Sequence, residues 1–147
     1  MVEKRIKITE AQINSLRTSL IILNRVIDEI ELICESGNKI GELYEDINDL
    51  SGQERELVKK KIREIRKYIN YLKNKLNLLK EKKSVRNNIA SRFGSLWEMV
   101  CELESKRLSA YGKVDDTLKE VTDPVVKKII ELVNETTDIL TKRIIDK

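Results

Sequence analysis

Residues 51–79 read SGQERELVKKKIREIRKYINYLKNKLNLL, and this stretch decides the fold. It opens with a capping-box pattern, in which Ser51 precedes Glu54 by three positions. Aliphatic residues then recur at alternating spacings of four and three, at Val58, Ile62, Ile65, Ile69, Leu72, Leu76 and Leu79. Because this spacing is that of a heptad seam, it predicts a long amphipathic helix over about residues 52–82 that packs on another helix.

The N-terminal part of the chain repeats this pattern. Thr9 and Gln12 form a second capping box, and Gly37-Asn38 is a helix-ending signal. The intervening seam consists of Ile13, Leu16, Leu20, Leu23, Ile27, Ile30 and Cys34. A helix over about residues 9–36 is therefore predicted. Three further aliphatic residues, Ile22, Val26 and Ile33, widen its apolar face, so we expect this helix to contact more than one neighbour.

The other elements are read from shorter signals. Apolar spacing predicts a short acidic helix between Ile40 and Leu50. Residues 82–88 interrupt the seam and predict a turn, with Ser84 capping a third helix over about 85–111; one continuous helix through 82–88 is the alternative. A short helix around 114–121 follows. Asp123-Pro124 then predicts the start of a last helix over about 124–146, because proline is favoured in a first turn.

These elements define the expected architecture. The chain has 147 residues, which suits one domain, and its five glycines and one proline are too few for a sandwich or barrel. We predict an all-α fold: an antiparallel bundle of three to four long helices with coiled-coil-like heptad seams. The expected organisation is one domain over 1–147, with residues 1–8 as a basic N-terminal arm.

Charge is divided sharply along the chain. Residues 53–92 hold fourteen Lys and Arg against four Glu, whereas residues 9–50 hold three basic and nine acidic residues. The basic helix can face an acidic neighbouring helix, or it can lie along DNA or RNA with Tyr68 and Tyr71 stacking on unpaired bases. The candidate polyanion-binding residues are Lys59, Lys60, Arg63, Arg66, Lys67, Lys73, Lys80 and Arg86.

One aromatic pair suggests a protein contact. Phe93 and Trp97 lie one helical turn apart and are the only Phe and Trp of the chain. Core packing explains such a pair, since large aromatic side chains dominate protein interiors. If the third helix is partly exposed, the pair becomes the leading candidate for a partner hot spot, because tryptophan anchors many interfaces.

Catalytic and metal-binding patterns are scarce. The chain lacks histidine, CxxC pairs and glycine-rich phosphate loops, so no catalytic residue, metal ligand or cofactor is predicted. Carboxylates do recur one turn apart, as in Glu120 and Asp123, and such pairs can hold Mg²⁺. This spacing resembles the ExxE and ExxD pairs of all-helical nucleotide pyrophosphohydrolases, although Glu45 and Glu120 are much farther apart than in that family. The resemblance implies a metal-dependent nucleotide hydrolase, which ranks third; solvated helix faces and helix caps explain the same residues.

The leading hypothesis is therefore a non-enzymatic structural or assembly protein that acts through helix–helix contacts, as a homo-oligomer or with a helical protein partner. The alternative is a small basic protein, or a subunit of a nucleoprotein complex, that binds nucleic acid through residues 53–86. Neither hypothesis involves a small-molecule substrate. No signal-peptide or membrane-span pattern is present, so the expected location is the cytoplasm.

Overall fold

Three of the predicted capping residues, Thr9, Ser51 and Ser84, start helices of the protein. In a computed structural model that describes residues 6–142, the elements in chain order are α1 (Glu10–Glu35), β1 (Lys39–Ile40), β2 (Glu45–Asp46), α2 (Gly52–Lys75), α3 (Val85–Cys101), α4 (Ser105–Leu108), a 3₁₀ turn (Ser109–Tyr111) and α5 (Asp116–Lys142). The predominantly helical fold is confirmed. Most of the predicted arm 1–8 and the end of the last predicted helix, beyond residue 142, lie outside the described residues.

Both capping boxes form as predicted. The Thr9 hydroxyl accepts a hydrogen bond from the Gln12 amide at 3.1 Å, and the Gln12 side chain accepts one from the Thr9 amide at 2.9 Å. Ser51 and Glu54 exchange the same two bonds at 3.1 and 2.9 Å. Each box satisfies amides that the first turn of a helix cannot pair internally, which explains why α1 and α2 begin where they do.

The chain divides into two compact units, unit 1 (Met1–Lys80) and unit 2 (Glu81–Lys147). In unit 1, α1 packs against α2, and the buried apolar residues are Ile27, Cys34, Ile62 and Leu78. In unit 2, α3 packs against α5, and Val100, Val126 and Val133 are buried. Each unit is thus a pair of long helices with a small aliphatic core. The single domain over 1–147 stays a prediction.

The predicted acidic helix between Ile40 and Leu50 is wrong, because this segment forms an antiparallel hairpin. Lys39 pairs with Asp46 and Ile40 with Glu45. The Gly41 amide donates to the Tyr44 carbonyl at 2.8 Å, and a Cβ on Gly41 would collide with the Tyr44 ring. A segment this short, with glycine inside it, makes a marginal helix.

Asn48 holds the segment after the hairpin against the end of α1. Its side-chain amide donates to the carbonyl of Cys34 at 3.4 Å and to that of Ser36 at 2.5 Å. Its own backbone amide donates to the Asn38 side chain at 2.9 Å. The last carbonyls of a helix have no partner within the helix, and Asn48 supplies one from outside. These non-local bonds favour the hairpin over the predicted helix.

Helix α2 ends seven residues earlier than predicted, at Lys75. Asn77 adopts a left-handed conformation with φ 51°, and the amides of Leu78 and Asn77 donate to the carbonyls of Lys73 and Asn74 at 2.9 and 3.3 Å. This is a Schellman motif, here with asparagine in the position that glycine usually takes, and the buried Leu78 supplies its hydrophobic contact. The predicted Ser84 cap is confirmed by its bond from the Asn87 amide at 3.2 Å, which excludes one continuous helix through 82–88.

Two boundaries in unit 2 also differ from the predictions. The third helix stops at Cys101 rather than near 111, and α5 begins at Asp116 and continues through Pro124. Asp115 starts α5 by accepting a hydrogen bond from the Thr117 amide at 2.8 Å. Asp123 does not cap the last helix: its carboxylate accepts bonds from the Ser105 amide at 3.1 Å and hydroxyl at 2.8 Å. A proline inside a helix removes one backbone hydrogen bond, so the predicted restart at Pro124 was physically reasonable but wrong.

The left-handed residue that ends α2 predicts opposite effects of one substitution at two positions. We expect Asn70→Gly, within α2, to destabilise the protein by about 0.3 kcal/mol, because glycine is a poorer helix former than asparagine. Asn77→Gly should be neutral or slightly stabilising, because glycine enters the left-handed region without a steric penalty. Urea unfolding followed by far-ultraviolet circular dichroism measures both. Equal destabilisation by the two changes would contradict this account of the helix end.

Candidate functional site

Helix α2 presents three different surfaces. Its aliphatic seam, which includes the buried Ile62, points toward α1. Beside the seam runs a flank that carries Lys59 and Arg66, seven residues apart. Because residues three or four apart lie on the same side of a helix, Lys60, Arg63 and Lys67 share a third surface that faces away from the seam. The seam and the flank contact α1, whereas the third surface is exposed.

Arg66 bridges two carboxylates of α1. One terminal nitrogen, Nη1, lies 2.6 Å from Glu31 Oε2, and the other, Nη2, lies 2.8 Å from Asp28 Oδ1 and 3.2 Å from Glu31 Oε1. This contact uses the planar fork of arginine, which lysine cannot reproduce. The hydrogen bond from Arg66 holds the pKa of Glu31 below its usual value, and the same bonds, first to Glu31 and then to Asp28, raise the pKa of Arg66.

Lys59 makes the second contact between the helices. Its ammonium lies 2.5 Å from Glu35 Oε1 and 3.8 Å from Glu56 Oε1. The hydrogen bond to Glu35 raises the pKa of Lys59. Since the later residue of α1 contacts the earlier residue of α2, the two ion-pair sites show that the helices are antiparallel. The acidic-neighbour interpretation is confirmed for Lys59 and Arg66, two of the eight candidate polyanion-binding residues.

The other six candidates are placed differently. Lys60, Arg63, Lys67 and Lys80 are exposed and Lys73 is half-buried; within residues 6–142, these five form no ion pair. Arg86 belongs to unit 2, where it donates to the Leu140 carbonyl at 2.9 Å near the end of α5. Within unit 1, the candidates therefore divide into cations that pair with α1 and cations that form no ion pair. The exposed subset of three on α2, Lys60, Arg63 and Lys67, is hereafter called the cationic face.

Two tyrosines stand beside the cationic face. Tyr68 is 73% exposed and Tyr71 is 59% exposed. Tyr71 follows Lys67 by four residues, so the two side chains are neighbours on the helix surface. The structure thus combines exposed cations and exposed aromatic rings on the outward side of α2.

Helix α1 carries an apolar surface that α2 does not cover. Ile22, Val26 and Ile33 are 58%, 43% and 71% exposed, and Leu23 and Ile30 beside them are 43% and 42% exposed. These five residues are hereafter called the α1 stripe. By helical geometry they lie on the side of α1 away from Asp28, Glu31 and Glu35, which face α2. The sequence predicts a second neighbour for α1 from Ile22, Val26 and Ile33, which all belong to this stripe. Within unit 1, the long helix that packs against α1 is α2.

A comparable surface occurs on α5 of unit 2. Exposed apolar residues recur there at heptad-compatible spacings of three, four and seven: Leu118, Val121, Val125, Leu132 and Ile139. These five residues are hereafter called the α5 stripe. This second seam is absent from the sequence prediction, and it lies beside the buried residues Val126 and Val133 of the same helix. Phe93 of the predicted hot spot is half-buried on α3, and Trp97 is 44% exposed.

The acidic residues of the segment between α1 and α2 are not collected on one helix face. Glu42, Glu45, Asp46 and Asp49 lie in or beside the hairpin rather than on one helix face. Over residues 6–142, no group of three or more carboxylate, thiol or imidazole side chains is placed to hold a metal ion. The hydrogen bonds from Ser105 lower the pKa of Asp123, which lines an open cavity of about 500 Å³ between α4 and α5 together with Glu104, Lys106, Lys127 and Glu131. Asp123 thus accepts hydrogen bonds that hold α4 against α5.

Both cysteines, Cys34 and Cys101, are free thiols.

The ion pairs of Glu31 predict how the stability of unit 1 depends on pH. Because the folded-state pKa of Glu31 is depressed, its contribution is present above the ordinary carboxyl pKa of 4.5 and is lost as the pH falls through the folded value. We expect Glu31→Gln to lower the urea midpoint at neutral pH and to weaken its decrease between about pH 5 and about pH 3. Glu42→Gln is the matched control, since Glu42 is exposed and forms no ion pair with the part of the chain described. Equal pH profiles for the Glu31 variant and the unmodified protein would contradict the prediction.

Comparison with known protein families, with curated proteins and with solved structures finds no match to this chain. Among the helices formed by residues 6–142, none combines the length and the apolar character that crossing a membrane requires.

Proposed function

We propose that this protein is a non-enzymatic assembly protein that self-associates through its exposed helical apolar stripes. The observation that carries the proposal is the α1 stripe, five aliphatic side chains that remain between 42% and 71% exposed on a helix already packed along another flank. Contiguous apolar surface of this kind is typical of protein–protein interaction sites. A second copy of the chain is the partner to which we commit.

The small cores of the two units support an assembly. Among residues 6–142, only seven apolar side chains are buried, and none falls below 2% exposure. Two-helix units with so few buried side chains gain little hydrophobic stabilisation by themselves, so covering the stripes would add substantially to it.

The size and chemistry of the stripes suit a symmetric contact. The α1 stripe exposes roughly 450 Å² of side chain per copy, so pairing it would bury about 900 Å², the size of a small interface, and the α5 stripe of unit 2 exposes a similar area. Neither stripe carries a charged side chain among its five members. A two-fold contact brings the same surface of both copies together, which requires a self-compatible surface, and an aliphatic stripe meets that condition.

Self-association would also complete the predicted architecture. Two antiparallel α1–α2 pairs that meet through their α1 stripes would form a four-helix arrangement with a heptad seam between the copies. The alternative form of this proposal is a different helical protein as the partner, and the half-exposed Trp97 supports it because tryptophan anchors many interfaces. The expected cytoplasmic location remains part of it.

The self-association proposal predicts the mass of two matched double variants. We expect the unmodified protein to be at least dimeric and Ile22→Lys/Ile33→Lys to fall to the monomer mass of 17.1 kDa, because two buried ammonium groups would oppose the contact. Light scattering coupled to size exclusion, over a wide range of protein concentration, measures the mass.

Asn14→Lys/Leu32→Lys is the control. It adds the same charge to exposed positions of α1 outside the stripe, and it should retain the oligomer. Circular dichroism shows whether both variants remain helical. An unmodified protein that stays monomeric at every concentration would refute self-association, and an oligomer that survives in the Ile22/Ile33 variant would exclude the α1 stripe as its interface.

A further inference from the structure

We propose that the cationic face of α2, together with Tyr68 and Tyr71, binds single-stranded nucleic acid. This binding function is separate from self-association, because it uses the outward side of α2 rather than the α1 stripe. The cations would neutralise phosphates and the tyrosine rings would stack on unpaired bases.

The first support is the division of charge within α2. Lys59 and Arg66 are the cations nearest the acidic flank of α1, and they pair with Glu35, Glu31 and Asp28. The cationic face is left without a carboxylate partner in residues 6–142 and is exposed. Three positive charges therefore stand together on one side of the helix, and Glu64, the carboxylate among them, lies 3.8 Å from Lys61. Exposed charges of this kind are available to a polyanion without breaking any internal pair.

The second support is the exposure of the tyrosines. Tyr68 and Tyr71 leave 73% and 59% of their surface accessible, although aromatic side chains normally contribute to cores. Neither ring is part of the buried set of unit 1. An aromatic ring that stands beside a row of cations has the two properties that single-strand binding requires, a stacking surface and a neutralising charge.

The third support is spacing. Lys60 and Lys67 are seven residues apart, which places them about 10 Å apart along the helix axis. Tyr71 lies one turn beyond Lys67, so a strand that follows the helix would meet cations first and an aromatic ring next. Bases in a duplex are already stacked and paired, so they leave no free face on which a tyrosine ring of α2 could stack. The ring contacts therefore favour unpaired strands.

The same residues argue against a membrane surface as the ligand. Helices that lie on membranes present large apolar side chains beside their basic residues. Along the outward side of α2 from Lys60 to Lys75, the exposed positions hold Lys, Arg, Tyr and Asn, and the partly exposed Glu64 lies among them. Such a surface offers charge and stacking but little insertion into lipid.

The test is fluorescence anisotropy of the full chain with labelled oligo-dT and oligo-U of about 20 nucleotides, titrated from low to moderate salt. We expect the logarithm of the association constant to fall linearly with the logarithm of salt concentration. The expected slope is about −2, because three phosphates are neutralised. Lys60→Gln/Arg63→Gln/Lys67→Gln should bring this slope close to zero. Glutamine is nearly as good a helix former as lysine, and circular dichroism verifies the fold of each variant.

The tyrosines have their own readout. Tyr68→Ala/Tyr71→Ala should weaken binding by about tenfold or more while keeping the salt slope, and Tyr68→Phe/Tyr71→Phe should restore the affinity because the ring remains. The charge control is Lys113→Gln/Lys119→Gln/Lys127→Gln, three exposed lysines of unit 2, which should leave the slope unchanged.

Four results would overturn the inference. They are absence of binding at low salt, equal affinity for duplex and single strands, equal loss in the unit 2 control, and binding of anionic phospholipid vesicles in preference to oligonucleotides.

Discussion

A single neighbouring helix can cover only one flank of α1, and this limit shapes unit 1. Apolar residues occupy more of the helix than one seam requires, so contact with α2 buries Ile27 and Cys34 but leaves Ile22, Val26 and Ile33 exposed. In unit 2, the α5 stripe is exposed in the same way. A two-helix unit has no inner position at which both sides of a helix are covered. The proposed self-association follows from this geometric limit rather than from any individual contact.

Charge separates the two sides of α2 for a related reason. The carboxylates of α1 are placed one turn apart, so they reach the flank of α2 that adjoins the seam and pair with Lys59 and Arg66. They cannot reach the opposite side of the same helix. The internal ion pairs therefore fix the antiparallel arrangement, while Lys60, Arg63 and Lys67 stay exposed beside two tyrosines. One basic helix thus carries a structural flank and a surface for the proposed ligand.

Local signals were the most predictable part of the fold. Thr9, Ser51 and Ser84 cap helices as expected, because each cap depends on residues three positions away. Predictions failed where distant residues compete. Asn48 draws its segment to the end of α1 in place of a helix, and Asp123 bonds Ser105 instead of starting a helix at Pro124. The end of α2 also depends on nearby residues, but it was harder to predict. Asparagine, rather than the usual glycine, occupies the left-handed position there.

The sequence by itself determined the helical character, the main helix starts and the opposition of an acidic and a basic helix, because heptad spacing, caps and charge are properties of neighbouring residues. Only the tertiary structure decided which cations are paired and which apolar residues are covered, because both depend on the side of each helix that meets its neighbour. The candidate surfaces could therefore be predicted as residue sets but not divided into internal contacts and exposed faces. That division required the packing of α1 on α2.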